Sequence, residues 1–153
     1  MFYCLRMILL LALVLPAALL DWKYKIIPDK LNYTVMLLAL PLLLESKTVF
    51  FDGLLGFTLG GGLLLLVAVV SRGGMGGGDI KMAAALGLLL GWRQVLLALF
   101  LAFALGSAVG LIMFLSRRRA WRAAIPFGPY LALGALLAAF GGDYLWAWYQ
   151  LAF

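Results

Sequence analysis

The sequence predicts an all-α polytopic membrane protein of about six transmembrane helices, with both termini on the non-cytoplasmic side. Three observations carry this expectation. Hydrophobic residues make up 67% of the chain and charged residues 12%, a balance foreign to soluble domains and normal for a membrane bundle. The apolar residues fall into six runs, at about 2–20, 31–45, 49–70, 80–92, 94–116 and 125–141, with short polar connections between them. Finally, nine of the twelve basic residues lie in alternate connections: Lys23, Lys25 and Lys30, then Arg72 and Lys81, then Arg117, Arg118, Arg119 and Arg122. Only Arg6, Lys47 and Arg93 lie on the other side. Because cytoplasmic loops collect Lys and Arg, the three basic connections are assigned to the cytoplasm. The 153 residues are read as a single integral membrane domain, 1–153, in the cell membrane.

The first run, 2–20, shares features with a secretory signal peptide: an early Arg6, a Leu-rich stretch and Pro16-Ala17-Ala18. It is longer than a signal core, and cleavage near Ala18 would leave Asp21 on a ragged end, so it is read as a retained span. Asp29, after Pro28, marks a helix start ahead of the second run. Runs 49–70 and 94–116 cross comfortably at ~20 residues each. The second and fourth are short and are expected to draw on their polar flanks. Gly56 with Gly60, Gly87 with Gly91, and Gly106 with Gly110 are each four apart, a spacing that lets helix backbones approach in lipid. Gly60-Gly61-Gly62 suggests a locally weak turn in the third run.

The formal charge of +6 is explained by this topology bias, so nucleic acid is not an expected partner. The Arg117-Arg118-Arg119 run is expected at anionic headgroups, at about 1 kcal/mol per residue. Histidine is absent and Cys4 is the single cysteine. That removes a histidine base, a Cys-His nucleophile, an intrachain disulfide and the usual zinc ligands. No metal and no cofactor are expected. The glycine cluster 73–78 is followed by neither the Gly-Lys-Ser/Thr of a phosphate-binding loop nor dinucleotide-type spacing.

Chemistry therefore rests on the acids. Asp21 ends the first run, and Asp79 stands between the glycine cluster and the fourth. A carboxylate that reaches a helix centre in the membrane costs about 2.5–3.5 kcal/mol and usually marks function. Each has a plainer reading: Asp79 as the N-cap of a helix beginning at Ile80, with Lys81 softening its charge, and Asp21 as an interfacial acid beside Lys23 and Lys25. Opposite-running neighbours, however, bring the two to one face of the membrane. Carboxylates a few ångströms apart share a proton, one ionised and one neutral. The ionised member draws a proton from water while the neutral member polarises a peptide carbonyl. Glycines beside such a pair give a substrate backbone close access.

These residues resemble a known family. Gly76-Gly77-Gly78-Asp79 matches the Gly-x-Gly-Asp signature of the intramembrane aspartyl peptidases. The continuation Ile80-Lys81-Met82-Ala83-Ala84-Ala85-Leu86-Gly87, ending in Gly91-Trp92, is similar to the type IV prepilin peptidases in particular. So is Asp21 followed by Ile27-Pro28-Asp29-Lys30-Leu31, and so is Ile125-Pro126-Phe127-Gly128-Pro129-Tyr130-Leu131-Ala132.

The resemblance implies a six-helix protease with two catalytic aspartates near the cytoplasmic face. Its substrates would be prepilins, pseudopilins or archaellin precursors, from which it removes a short basic leader. Carried over by position, the catalytic pair is Asp21 and Asp79. Gly76 and Gly78 are the signature glycines, and Pro28, Asp29 and Lys81 are supporting residues that orient the site or the leader. Larger bacterial members carry a cysteine-bearing region associated with N-methylation; no such cysteines occur here, so methyl transfer is not expected. Three rivals stand beside this reading. A related peptidase of signal-peptide remnants lacks the Ile-Pro-Asp motif. A small carrier or channel would use the same aspartates as ion or proton ligands, though no inverted repeat is evident. A purely structural subunit accounts for the glycine spacings and leaves the three motifs unexplained.

Overall fold

The computed structural model describes residues 2–72, 74–116 and 126–152, all of it α-helix and connections. Six helices follow in order: α1 (Phe2–Tyr24), α2 (Asp29–Leu43), α3 (Lys47–Val70), α4 (Gly77–Leu90), α5 (Trp92–Leu115) and α6 (Gly128–Ala152). Arg117, Arg118, Arg119, Arg122 and Ile125 lie outside the described residues. Among the described residues α1, α3 and α5 are long and apolar enough to cross a membrane. At 15 and 14 residues, α2 and α4 span only ~20 Å at 1.5 Å per residue, short of a ~30 Å hydrocarbon core.

The centre of the bundle is α4, which touches all five other helices. Every residue from Met82 to Leu89 is buried, and none is polar, as a helix surrounded on all sides requires. Its small residues set how closely the neighbours come. A side chain on Gly87 would collide with the Gly56 carbonyl and the Phe57 backbone nitrogen, and one on Gly60 with the Ala83 carbonyl. Gly53, Gly56, Gly60 and Leu64 form the buried stripe of α3, so α3 and α4 meet backbone to backbone. Large apolar side chains instead cover the outside: Leu15 and Leu19 on α1, Leu65 and Leu66 on α3, Phe100 and Ile112 on α5 are all exposed. That inside-out arrangement suits lipid, where association depends on packing of small residues.

Several expectations need correcting. The close approach expected of the spaced glycines does occur at Gly56, Gly60 and Gly87, across the α3–α4 contact, but the other positions differ. Gly91, at φ +80°, is the turn between α4 and α5, a left-handed position that favours glycine. Gly106 makes only ordinary contact with Tyr130; the close approach of α6 to α5 is at Gly134, against the Ala98 carbonyl. No weak turn occurs at Gly60-Gly61-Gly62, because α3 is unbroken from Lys47 to Val70 and two of these glycines lie against Ala83 and Ala84. The last helix begins at Gly128 and runs on to Ala152, well past the expected end at 141.

Helix direction alternates along the chain, so the end of α1 and the starts of α2, α4 and α6 gather at one end. Three hydrogen bonds tie them there: Gly128 to Asp21, Asn32 to Gly78 and Lys81 to Asp29. At the other end Arg6 fastens α1 to the end of α2, donating to Glu45 at 3.1 Å and to the Leu42 carbonyl at 3.2 Å.

Candidate active site

Asp21 does not follow the first helix; it is part of it. The buried side of α1 runs through Leu10, Leu13, Val14 and Ala17 to Asp21, at three- and four-residue steps, so helical periodicity turns the carboxyl inward. Asp21 is 6% exposed, and its Oδ2 accepts the backbone N–H of Gly128 at 2.8 Å. A side chain on Gly128 would stand 2.8 Å from that oxygen and 3.0 Å from the Asp21 Cβ; glycine is what lets the start of α6 reach the carboxylate. Beyond Asp21 the helix stops where Lys25 adopts φ 55°, a left-handed conformation uncommon for a side-chain-bearing residue. The turn sends Ile26, Ile27 and Pro28 back across the mouth of the bundle.

Asp79 lies in the first turn of α4, but it is not the cap. Gly76 is the N-cap, with no side-chain hydrogen bond, and the helix begins at Gly77. The Asp79 backbone N–H donates to the Gly76 carbonyl at 3.1 Å, and its carboxylate turns back toward the Gly76 backbone N–H. Asp79 is 8% exposed, and its Oδ1 is buried without a hydrogen-bond partner. The two aspartates are near enough to act on each other electrostatically. Both line one cavity of about 470 Å³, with Lys25, Ile26, Ile27, Pro28, Asp29 and Gly76 to Gly78.

The supporting residues divide. Lys81 does not soften Asp79: its Nζ pairs with Asp29 Oδ2 at 2.5 Å and lies over the Tyr33 ring, 5.3 Å from the centroid. The pair fastens α2 to α4 at the edge of the cavity. Pro28 is the residue from which α2 starts. Gly76 and Gly78 both line the cavity, and Gly78 serves close packing: a Cβ there would stand 2.9 Å from the Ile27 Cβ and 3.0 Å from the Ile27 carbonyl oxygen. A larger residue at 78 therefore meets Ile27 first. What it displaces is the α1–α2 turn. Gly78→Val is expected to cost about 1–3 kcal/mol by overpacking and to reduce turnover roughly 10- to 100-fold through misplacement of the site. A thermal melt and a rate measurement on the same preparation check both.

Two site residues went unrecognised in the sequence. Gly128 was seen as part of a motif, with no role. Asn32, fully buried on α2, donates from Nδ2 to the Gly78 carbonyl at 3.2 Å; its trace in the sequence is an amide inside an apolar run. Among the described residues no three His, Cys, Asp or Glu side chains converge to hold a metal ion.

Comparison with known proteins identifies the family of the chain. The chain is 32% identical over 143 residues to a "Prepilin leader peptidase/N-methyltransferase" of Bacillus subtilis (strain 168), covering 93% of this chain and 58% of that protein. It is 33% identical over 151 residues to one from Stutzerimonas stutzeri, covering 94% and 52%. With one from Aeromonas hydrophila it shares 40% identity over 81 residues, 53% of this chain and 28% of that protein. The chain thus spans about half the length of the curated relatives it matches most fully. No solved structure matches it. The family model of the type IV leader peptidases matches residues 8–111, across both aspartates and the cavity between them, and the chain belongs to that family.

Proposed function

We propose that this chain is an intramembrane aspartyl endopeptidase that removes the short basic leader of prepilin-like proteins at the cytoplasmic face of the cell membrane. One observation carries the reading: Asp21 and Asp79, from opposite-running helices, line a single cavity. Residues 1–153 act as one peptidase unit of six membrane-crossing helices with both termini outside. The alternating basic connections support that orientation. The substrate is a prepilin, pseudopilin or archaellin precursor, and the bilayer is the other partner. Of the relatives' two named activities we extend only the peptidase, since the chain has no cysteine besides Cys4.

The chemistry needs one ionised and one protonated carboxyl. The ionised member takes a proton from water as the oxygen attacks the scissile carbonyl carbon. The protonated member donates a hydrogen bond, then its proton, to the carbonyl oxygen. Collapse of the tetrahedral intermediate returns a proton to the leaving amine. The unpartnered Oδ1 of Asp79 is an acceptor free for this exchange, while the Gly128 N–H holds Asp21 in place. The rim contributes as well. Three aspartates and a single lysine line the cavity, and Lys81 is taken up by Asp29, so acids stand at the cavity itself despite the basic connections around it.

The test is cleavage of a prepilin-type substrate with a basic leader by the purified chain in liposomes. Scission at the leader junction is the expected result. Folded protein that leaves the leader intact, yet conducts ions or protons, would establish the carrier instead. Chelators are expected to leave turnover unchanged, because the pair activates water by proton transfer and no three acidic, histidine or thiol side chains converge among the described residues. A loss of turnover restored by one added divalent metal would contradict the water-activating pair.

A further inference from the structure

Asn32 is the most deeply buried polar side chain among the described residues, at 0% exposure against 6% and 8% for the two aspartates. It stands one turn into α2. Its Nδ2 donates to the carbonyl oxygen of Gly78, the peptide that leads directly into Asp79. Its Oδ1 is buried with no partner. We propose that Asn32 is a positioning residue for Asp79, holding the Gly78–Asp79 peptide against α2 and so fixing where the carboxyl enters the cavity. The inference rests on the aspartyl peptidase reading.

Two physical arguments support it. The first is energetic. An orphaned buried acceptor costs about 1–3 kcal/mol, and one neutral hydrogen bond returns about 1 kcal/mol. An apolar side chain of similar size would serve the α2–α4 contact at least as well, so stability alone does not call for an amide here. The second is conformational. Gly76, Gly77 and Gly78 have no side chains to lock the segment, and glycine has the widest backbone freedom of any residue. Ile27 blocks any Cβ at 78, so the peptide before Asp79 cannot be stiffened by a larger residue. Gly78 lies in the first turn of α4, where helix ends fray, so a donor from the neighbouring helix adds a hold that the helix alone does not give.

The experiment uses the full chain with Asn32→Leu and Asn32→Asp. The leucine variant removes donor and orphan together. Its melting temperature should match or exceed wild type, while kcat falls roughly 10- to 100-fold and KM is unchanged. A lower melting temperature with kcat intact would show a merely structural amide and overturn the inference.

The aspartate variant restores a donor only when its carboxyl carries a proton, so its kcat relative to wild type should rise as the pH is lowered. A flat ratio would overturn the inference. At this end the ionisable groups on α2 and its neighbours are Asp29, Lys30 and Tyr33, then Asp21, Lys23, Tyr24 and Lys25, and Asp79 and Lys81. The wild-type profile and that of Asn32→Leu, which adds no charge, show what those groups contribute by themselves. α3 meets α2 at the opposite end, where Gly53 lies against Leu43.

A third readout is independent of turnover: amide hydrogen exchange across residues 76–80 should be faster in Asn32→Leu than in wild type. Unchanged exchange overturns the positioning role whether or not the protein cleaves anything. Wild type that cleaves no leader defeats the peptidase reading alone.

Discussion

Asp79→Asn and Asp21→Asn are each expected to lower leader cleavage by roughly 10²–10⁴-fold or more, the range assigned to a positioned acid or base, while the fold survives. The amide has nearly the volume of the carboxyl, so packing of two buried residues is preserved. At position 21 the amide oxygen can still accept the Gly128 N–H, which Asp21 accepts at 2.8 Å. At position 79 the side chain still lies in the first turn of α4, against the Gly76 N-cap. What disappears is the exchangeable proton. The pair needs one member that takes a proton from water and another that gives one to the carbonyl oxygen, and an amide, although its N–H can still hydrogen-bond, can transfer a proton in neither direction. Initial rates on a prepilin-type substrate, beside a melt in the same detergent, separate loss of chemistry from loss of fold. Because the two residues act as a unit, Asp21→Asn with Asp79→Asn should be little worse than either alone. Wild-type turnover in either single variant would falsify the pair.

How much of this was legible in the sequence depended on the kind of residue. Acids set among apolar runs stand out because lipid makes them costly, and so Asp21, Asp79 and the glycines beside Asp79 could be named without coordinates. Helix boundaries were less legible. Asp21, Trp22, Lys23 and Tyr24 were placed beyond the first helix, yet α1 continues through all four; polar residues at a membrane boundary change the solvent without ending a helix. Gly77 and Gly78 resembled a flexible connection, although both belong to α4, where their bareness serves a contact with Ile27. The partner of Lys81 was misjudged for a similar reason. Asp79 is two positions away in sequence, but residues two apart on a helix point in different directions, and Asp29 on α2 takes the charge. Gly128 and Asn32 act through residues 107 and 46 positions away, and no local pattern encodes such contacts. A lone asparagine in an apolar span is nevertheless a usable flag, since an amide in lipid must find a partner.

Gly87→Leu should damage the fold more than any other single change, with the loss read as stability rather than rate. A Cβ at 87 would run into the Gly56 carbonyl and stand 2.6 Å from the Phe57 backbone nitrogen. Both obstacles are backbone, so no rotamer change relieves them; α3 must move off α4 instead. That is the most extensive helix contact in the bundle, and α4 is the element against which all the others pack. Overpacking where side chains can shift costs about 1–3 kcal/mol. Here we expect the top of that range or beyond, a fall of roughly 6–12 °C in melting temperature at 2–4 °C per kcal/mol for a chain of this size. Gly62→Leu is the control. It lies on α3 as well, and a Cβ at 62 meets nothing within 4 Å, so the same side chain should leave stability unchanged or raise it by up to about 1 kcal/mol. Helix propensity favours leucine over glycine equally at both sites, so the difference between the two variants isolates the backbone contact. Equal melting temperatures would mean that α3 and α4 do not meet through Gly56 and Gly87, and the placement of Asp79 at the head of α4 would have to be rebuilt.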